Sequence, residues 1–291
     1  MKKIGGIDVG GTSIKYGVWN GAALEDKGSI PTPKTLEEFY ERLTEIVETM
    51  KEKHAIIGVG MSLPGAVNKE KGLIDGASAL PYIHHFPILE EFVNRFGLPV
   101  SFENDANCAA LAEVKYGAGK DVNNILFFIL GTGVGGSLIF DGKVHHGKHL
   151  FGGEFGFMLM KDGKSLSQLG TTVQMAKRYE KRVNDGKHYT GEEVFELAFN
   201  GDAIAQEEAE TFFYNVALGI FNLSYAFDPD RVIIGGGVSH APFLLPEIDK
   251  RLDKIIKGTA IASWKPEIAV CEFMGDANLI GAVADFLSEN E

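Results

Sequence analysis

Two glycine-rich segments carry the first chemical signal in this chain, Asp8-Val9-Gly10-Gly11-Thr12-Ser13-Ile14-Lys15 and Leu130-Gly131-Thr132-Gly133-Val134-Gly135-Gly136-Ser137. Each follows an apolar run that reads as a buried strand, Ile4–Val9 and Ile125–Leu130. Glycine lets a strand reverse tightly and brings backbone N–H groups close to an anion. Taken singly, either turn reads as a plain hairpin. Taken together, with Asp8 ahead of one and threonine at the matching place in both (Thr12, Thr132), they suit the phosphates of a nucleotide held in a cleft between two related halves. Gly10, Gly11, Thr12 and Lys15 form one set of candidate contacts, and Gly131, Thr132 and Gly133 the other. The G-x-x-x-x-G-K-[ST] loop is absent, and an apolar stretch, not a helix, follows Gly136, so neither common phosphate motif applies.

Three further segments could do chemistry. Glu103-Asn104-Asp105-Ala106-Asn107 stands where a strand ends and a helix begins. There Asn104 or Asp105 serves either as a helix cap or as a carboxylate that takes a proton from an attacking hydroxyl. Gly152-Gly153-Glu154-Phe155-Gly156-Phe157 reads as a tight loop presenting Glu154 to sugar hydroxyls, or as a surface glutamate between turn glycines. Gly235-Gly236-Gly237 follows an apolar strand, and either a base and ribose lie on it or it is a close-packed βα turn. His145, His146 and His149 have no Cys, Asp or Glu nearby at ligand spacing, which argues against a metal site there.

Behind these residues lies an ordinary soluble composition: 291 residues, 45% hydrophobic and 23% charged. A net charge of −12 disfavours nucleic acid or an anionic membrane as partner. Two isolated cysteines, Cys108 and Cys271, point to a reducing, cytoplasmic setting. A polar start and the lack of a long apolar run argue against a signal peptide or membrane span.

The periodicity predicts helices over 36–51, 88–96, 106–116, 171–184, 192–199, 202–227, 246–256 and 277–288. The helix over 202–227 is expected to be a buried spine. Further strands are predicted over 55–62, 99–103, 231–234 and 268–272, with a β-rich stretch at 137–140 and a hinge over 117–124. Alternating strands and helices mean an α/β protein.

With these residues laid out, the chain resembles the ROK family (repressors, uncharacterised reading frames and sugar kinases) over nearly its whole length. Asp8 to Lys15 resembles the first phosphate loop and Gly131 to Gly136 the second. Gly58-Val59-Gly60-Met61-Ser62-Leu63-Pro64-Gly65 resembles the G-x-G-x-S-x-P-G element, and Glu103-Asn104-Asp105 the sugar-binding and catalytic segment. Gly153-Glu154-Phe155-Gly156 resembles the sugar-binding loop, and Gly275-Asp276-Ala277-Asn278-Leu279-Ile280-Gly281-Ala282 the closing helix.

The resemblance implies an actin-like (ribonuclease H-like) two-domain ATPase fold with a central cleft. The expected domains are 1–117 and 118–276, with a closing helix over 277–291 packed back on the first. It implies ATP with Mg²⁺ and transfer of the γ-phosphoryl group to a sugar hydroxyl, usually the 6-OH. Asp105 would be the base, Gly65, Asn104 and Glu154 would hold the sugar, and Asp8 would position the metal directly or through water. Gly235, Gly236 and Gly237 join the ATP-binding set, and the expected assembly is a homodimer. The first phosphate loop begins at residue 8, so no DNA-binding extension is expected ahead of it. A kinase is expected over a repressor or a non-catalytic sugar sensor.

The departures bear on the substrate. Phe157 stands where the family's loop ends in histidine, the cysteine-rich zinc cluster is missing, and Ser167 falls near a usual sugar-binding glutamate. No structural zinc is expected. A β-glucoside such as cellobiose is expected to be preferred over free glucose, with Phe157 packing on the second sugar. The alternatives are a glucokinase, fructokinase or N-acetylmannosamine kinase, with Phe157 merely filling a core.

Overall fold

The computed structural model describes residues 2–260 and 262–290. Met1 and Glu291, which the expected domain limits include, lie outside the described residues. The chain forms two compact units: Met1–Gly117 with Gly147–Phe151 and Gly275–Glu291, and Ala118–His146 with Gly152–Met274.

The first unit opens with an antiparallel meander of β1 (Ile4–Val9), β2 (Ser13–Trp19) and β3 (Leu24–Pro31). Helix α1 (Leu36–His54) starts at the Thr35 cap, whose hydroxyl accepts from the Glu38 N–H, and ends with Lys51, Lys53 and His54 in its last turn. Those basic groups suit the negative end of the helix dipole and carry it past residue 51. Ala55 then caps α1 in the left-handed region (φ 52°), so β4 covers only Val59–Leu63. The strand expected over 55–62 is therefore corrected: its first residues belong to the helix exit.

A small hairpin, β5 (Ala66–Asn68) and β6 (Leu73–Asp75), precedes α2 (Ile88–Phe96), β7 (Val100–Asn104) and α3 (Asp105–Tyr116). Strands β4 and β7 join parallel to β1, giving the order β3-β2-β1-β4-β7.

The second unit repeats this plan. Strands β8 (Ile125–Leu130), β9 (Val134–Phe140) and β10 (Lys143–Val144) form its meander. Helices α4 (Leu166–Leu169), α5 (Thr172–Val183), α6 (Gly191–Phe199) and α7 (Ala203–Phe227) follow. Then come β11 (Arg231–Gly235), α8 (Leu244–Gly258) and β12 (Ile268–Val270), in the order β10-β9-β8-β11-β12. Phe212, Phe213, Val216, Ala217 and Ile220 bury the middle of α7 against the other helices and the sheet, as a spine should.

The last helix, α9 (Ala277–Asn290), belongs to the first unit. It lies backbone against backbone there. A Cβ on Gly60 of β4 would stand 2.1 Å from the Ala282 carbonyl oxygen, and one on Gly281 would stand 1.7 Å from that of Cys108 in α3. Glycine at these places is what lets a helix pack so close to a sheet and a second helix.

Candidate active site

In the first unit β1, β4 and β7 run parallel, so their carboxyl ends gather on one edge, where open α/β sheets bind ligands. Asp8 stands there, buried, its Oδ1 accepting from the Ser62 hydroxyl at 2.9 Å and the Asn278 amide at 3.0 Å. Ser62 comes from β4 and Asn278 from the first turn of α9. Neither was singled out as a site residue from sequence, although both lie inside quoted motifs. Their only signal was a polar side chain inside a mainly apolar, glycine-containing motif.

The corner from β7 into α3 shows which residue is the helix cap. Asn104 is the cap: its Oδ1 accepts from the Ala106 and Asn107 N–H groups, while its Nδ2 donates to the Gly65 carbonyl at 3.0 Å. Asp105 opens the helix with an exposed face, accepting from the Ala106 N–H at 2.8 Å. Crowding by surrounding protein raises its carboxyl pKa; the Ala106 N–H opposes the rise and the negative charge of Asp8 adds to it. A carboxylate poised this way holds a proton more readily than an ordinary aspartate.

The two glycine turns are three-residue hairpin loops, each closed by one bond, Gly10 N–H to the Ser13 carbonyl and Gly131 N–H to the Gly133 carbonyl, both 3.0 Å. Gly11, Thr12, Thr132 and Gly133 lie exposed at the apices. Lys15 pairs across from Asp8 on β2, and its ammonium reaches the Gly275 carbonyl at 3.3 Å. In this conformation Lys15 ties the first hairpin to the approach of α9. Ser167 has a comparable task, its hydroxyl accepting from the Val134 N–H at 2.9 Å just after the second turn.

In the second unit, Gly153 (φ 95°) lays the 152–157 loop directly on β9, where a Cβ would meet the Gly136 carbonyl oxygen at 2.5 Å. Phe155 turns inward and its ring packs 4.8 Å from that of Phe128. Glu154 and Phe157 turn outward, Phe157 being 70% exposed. The reading of Phe157 as core filler is thereby corrected: Phe155 already occupies the inward position, and the short turn sends Phe157 the other way.

Strands β8 and β11 are also parallel, and Gly235 ends β11 beside the second turn. Beyond it Gly236 turns the chain, accepting from the Ser239 N–H at 3.0 Å. Gly237 lines a cavity of about 510 Å³ whose walls include Phe195, Phe199, Val238 and Phe243. That size and aromatic lining suit a planar ring. The phenylalanines come from α6 and the start of α8, too far from the glycines in sequence to have been grouped with them. Among the described residues, no group of three or more His, Cys, Asp or Glu is gathered to hold a metal ion.

The family model described as ROK family matches residues 4–288. The chain belongs to the ROK family. A β-glucoside kinase of Listeria monocytogenes is 32% identical over 300 residues, covering 99% of this chain and 98% of the relative. A crystal structure of a ROK family protein from Streptococcus pneumoniae in complex with sucrose has a TM-score of 0.89 at 34% identity, with 99% of each chain covered. A ROK family glucokinase from Streptomyces griseus in complex with glucose and AMPPNP has a TM-score of 0.77 at 26% identity, covering 99% of this chain and all of the other. The duplicated sheet is thus that of the actin-like ATPase fold, and this ROK protein is an ATP-dependent carbohydrate kinase.

Proposed function

We propose that the chain transfers the γ-phosphoryl group of ATP to a primary hydroxyl of a β-glucoside such as cellobiose, with Asp105 as the base. The observation that carries the reading is Asp105 itself, an exposed carboxylate with a raised pKa on the strand edge that also holds Asp8. A base must accept the hydroxyl proton as the oxygen attacks, and its affinity for that proton is what crowding increases here. Asn104 and the Gly65 backbone shape the loop for the sugar, and Glu154 supplies a carboxylate for its hydroxyls.

Asp8 fits Mg²⁺ as a hard oxygen donor, with only its Oδ1 engaged in the bonds to Ser62 and Asn278. It would hold the ion directly or through water, and the ion would supply neutralising charge for the phosphates. Gly10, Gly11, Thr12 and Lys15, with Gly131, Thr132 and Gly133, are the proposed phosphate contacts. Gly235, Gly236 and Gly237, with the phenylalanine-lined cavity, are proposed to take the nucleoside. A cytoplasmic homodimer belongs to the same proposal.

The nucleoside assignment has a clean test in Gly237→Val. A Cβ there meets nothing within 4 Å, so the fold tolerates the change while space at the cavity wall is lost. The expected result is a rise of about tenfold or more in the KM for ATP with kcat little changed, the pattern of lost uniform binding. An unchanged KM for ATP would remove the nucleoside from this cavity.

For the sugar, Phe157 offers an apolar face where a hydroxyl-binding histidine is usual in the family, and Ser167 is already bonded to the Val134 amide. Such a face packs against a second ring better than it holds a reducing-end hydroxyl. Steady-state kinetics across cellobiose, aryl-β-glucosides, glucose, fructose, mannose, N-acetylmannosamine and N-acetylglucosamine decide it. The highest kcat/KM is expected for a β-glucoside. A higher value for any free monosaccharide refutes the substrate and leaves the kinase standing.

A further inference from the structure

Behind the Asn104–Asp105 corner lies a charge cluster that none of the proposed contacts uses. Glu103, fully buried at the end of β7, turns its Oε1 back to accept from the Asn104 N–H at 2.7 Å and from the Asn107 Nδ2 at 3.0 Å. Its Oε2 faces the Lys69 ammonium at 3.3 Å. Lys69 follows β5 and bonds in turn to Asp285 and, at 2.8 Å, to Glu289, both on α9. Asp285 is buried as well.

We propose that Lys69 is a positioning residue for phosphoryl transfer: by holding Glu103 charged and fixed, it sets the corner that presents Asp105, and it locks that corner to α9. The role rests on the kinase reading only in what the corner is positioned for. A carboxylate taken fully out of water keeps its charge only beside a compensating cation. Without one it takes up a proton, and the Oε1 that now accepts from two N–H groups binds them less strongly.

The same loop grips the corner twice. Gly65 takes the Asn104 side chain at one end, and Lys69 takes Glu103 at the other. Helix α9 is held by the same ammonium, and it also carries Asn278, the partner of Asp8. One lysine therefore couples the elements that place Asp105, the proposed base, and Asp8, the proposed metal ligand.

The titration behaviour agrees with the geometry. Burial pushes the Asp285 carboxyl up to about 7, with Lys69 opposing and Glu103 adding to the rise. Burial alone would push Lys69 down, yet Glu103 and Asp285 hold its ammonium above the ordinary lysine range. The cation of the cluster is thus secure, and the charge on Asp285 depends on it.

The test compares Lys69→Met in the wild-type and Glu103→Gln backgrounds. Glutamine at 103 keeps an acceptor for the two N–H groups but needs no counter-charge. In the wild-type background, Lys69→Met is expected to lower kcat about 10- to 100-fold with the KM for ATP within about twofold, since misplacement of a reacting group costs rate. Hydrogen exchange at the Asn104 amide is expected to quicken about tenfold. Both effects should shrink to within about twofold in the Glu103→Gln background.

Equal effects in both backgrounds, or unchanged exchange at Asn104, overturn the proposal. If Lys69→Met does not fold, the double variant decides: recovered folded protein supports the link and continued failure overturns it. Exchange is read without any sugar, so a wild type that phosphorylates nothing defeats the kinase reading and leaves this test intact.

Discussion

Asp105→Asn is expected to lower kcat by about 10²–10⁴-fold while sugar and ATP still bind, the cost of removing a general base. Asparagine keeps the size of the side chain and an oxygen for the Ala106 N–H, so the start of α3 stays formed. What disappears is the ability to accept a proton. The pH profile supplies an independent check. A base works deprotonated, so the rate is full above its pKa and falls as pH drops through it. Because crowding raises the Asp105 pKa above the ordinary aspartate value of 3.8, the fall should begin at higher pH than an unperturbed aspartate would give. That acid limb should be missing from the residual activity of Asp105→Asn. Near-full turnover by the variant, measured in a coupled ADP-release assay, would remove Asp105 from the base role.

Gly281→Ala is expected to be strongly destabilising. Its Cβ would stand 1.7 Å from the Cys108 carbonyl oxygen, a backbone atom that no rotamer change can move aside. Overpacking a close-packed interior costs typically about 1–3 kcal/mol, and contact with fixed backbone belongs at the upper end. For a protein of this size, about 3 kcal/mol corresponds to a fall of roughly 6–12 °C in Tm. Activity should fall too, because α9 carries Asn278 against Asp8 and Asp285 against Lys69. Gly142→Ala is the control for thermal denaturation. An added Cβ there meets nothing within 4 Å, and its cost is confined to a strained backbone, φ 72°. A Gly281→Ala melting temperature at or above that of the control would contradict the packing described for α9.

Local pattern alone determined a good deal about this protein. The strands Ile4–Val9 and Ile125–Leu130 and the helix Ile88–Phe96 lie where apolar runs and their glycine stops place them. In each, burial and termination are decided by the residues themselves. The motifs from Asp8 to Ala282, in order, were specific enough to indicate the ROK family and its sugar-kinase chemistry, because each needs particular residue types at particular spacing.

Where the chain had to choose between two locally acceptable states, tertiary structure decided. Ala55 begins an apolar run in the sequence but caps a helix, because α1 extends to His54. Phe155 and Phe157 are the same residue two places apart, yet one ring packs on Phe128 and the other lies in the open. Hydropathy says that a ring should be buried but not which ring a loop can turn inward.

The site was least legible where its contacts join distant parts of the chain. Asn278 meets Asp8, Lys69 meets Asp285, and Phe195 and Phe243 share a cavity wall with Gly237. Periodicity reports only on neighbours a few residues away. These pairings arise from the order of strands in each sheet and from glycines that let α9 touch backbone, and neither is written in the composition of any single segment.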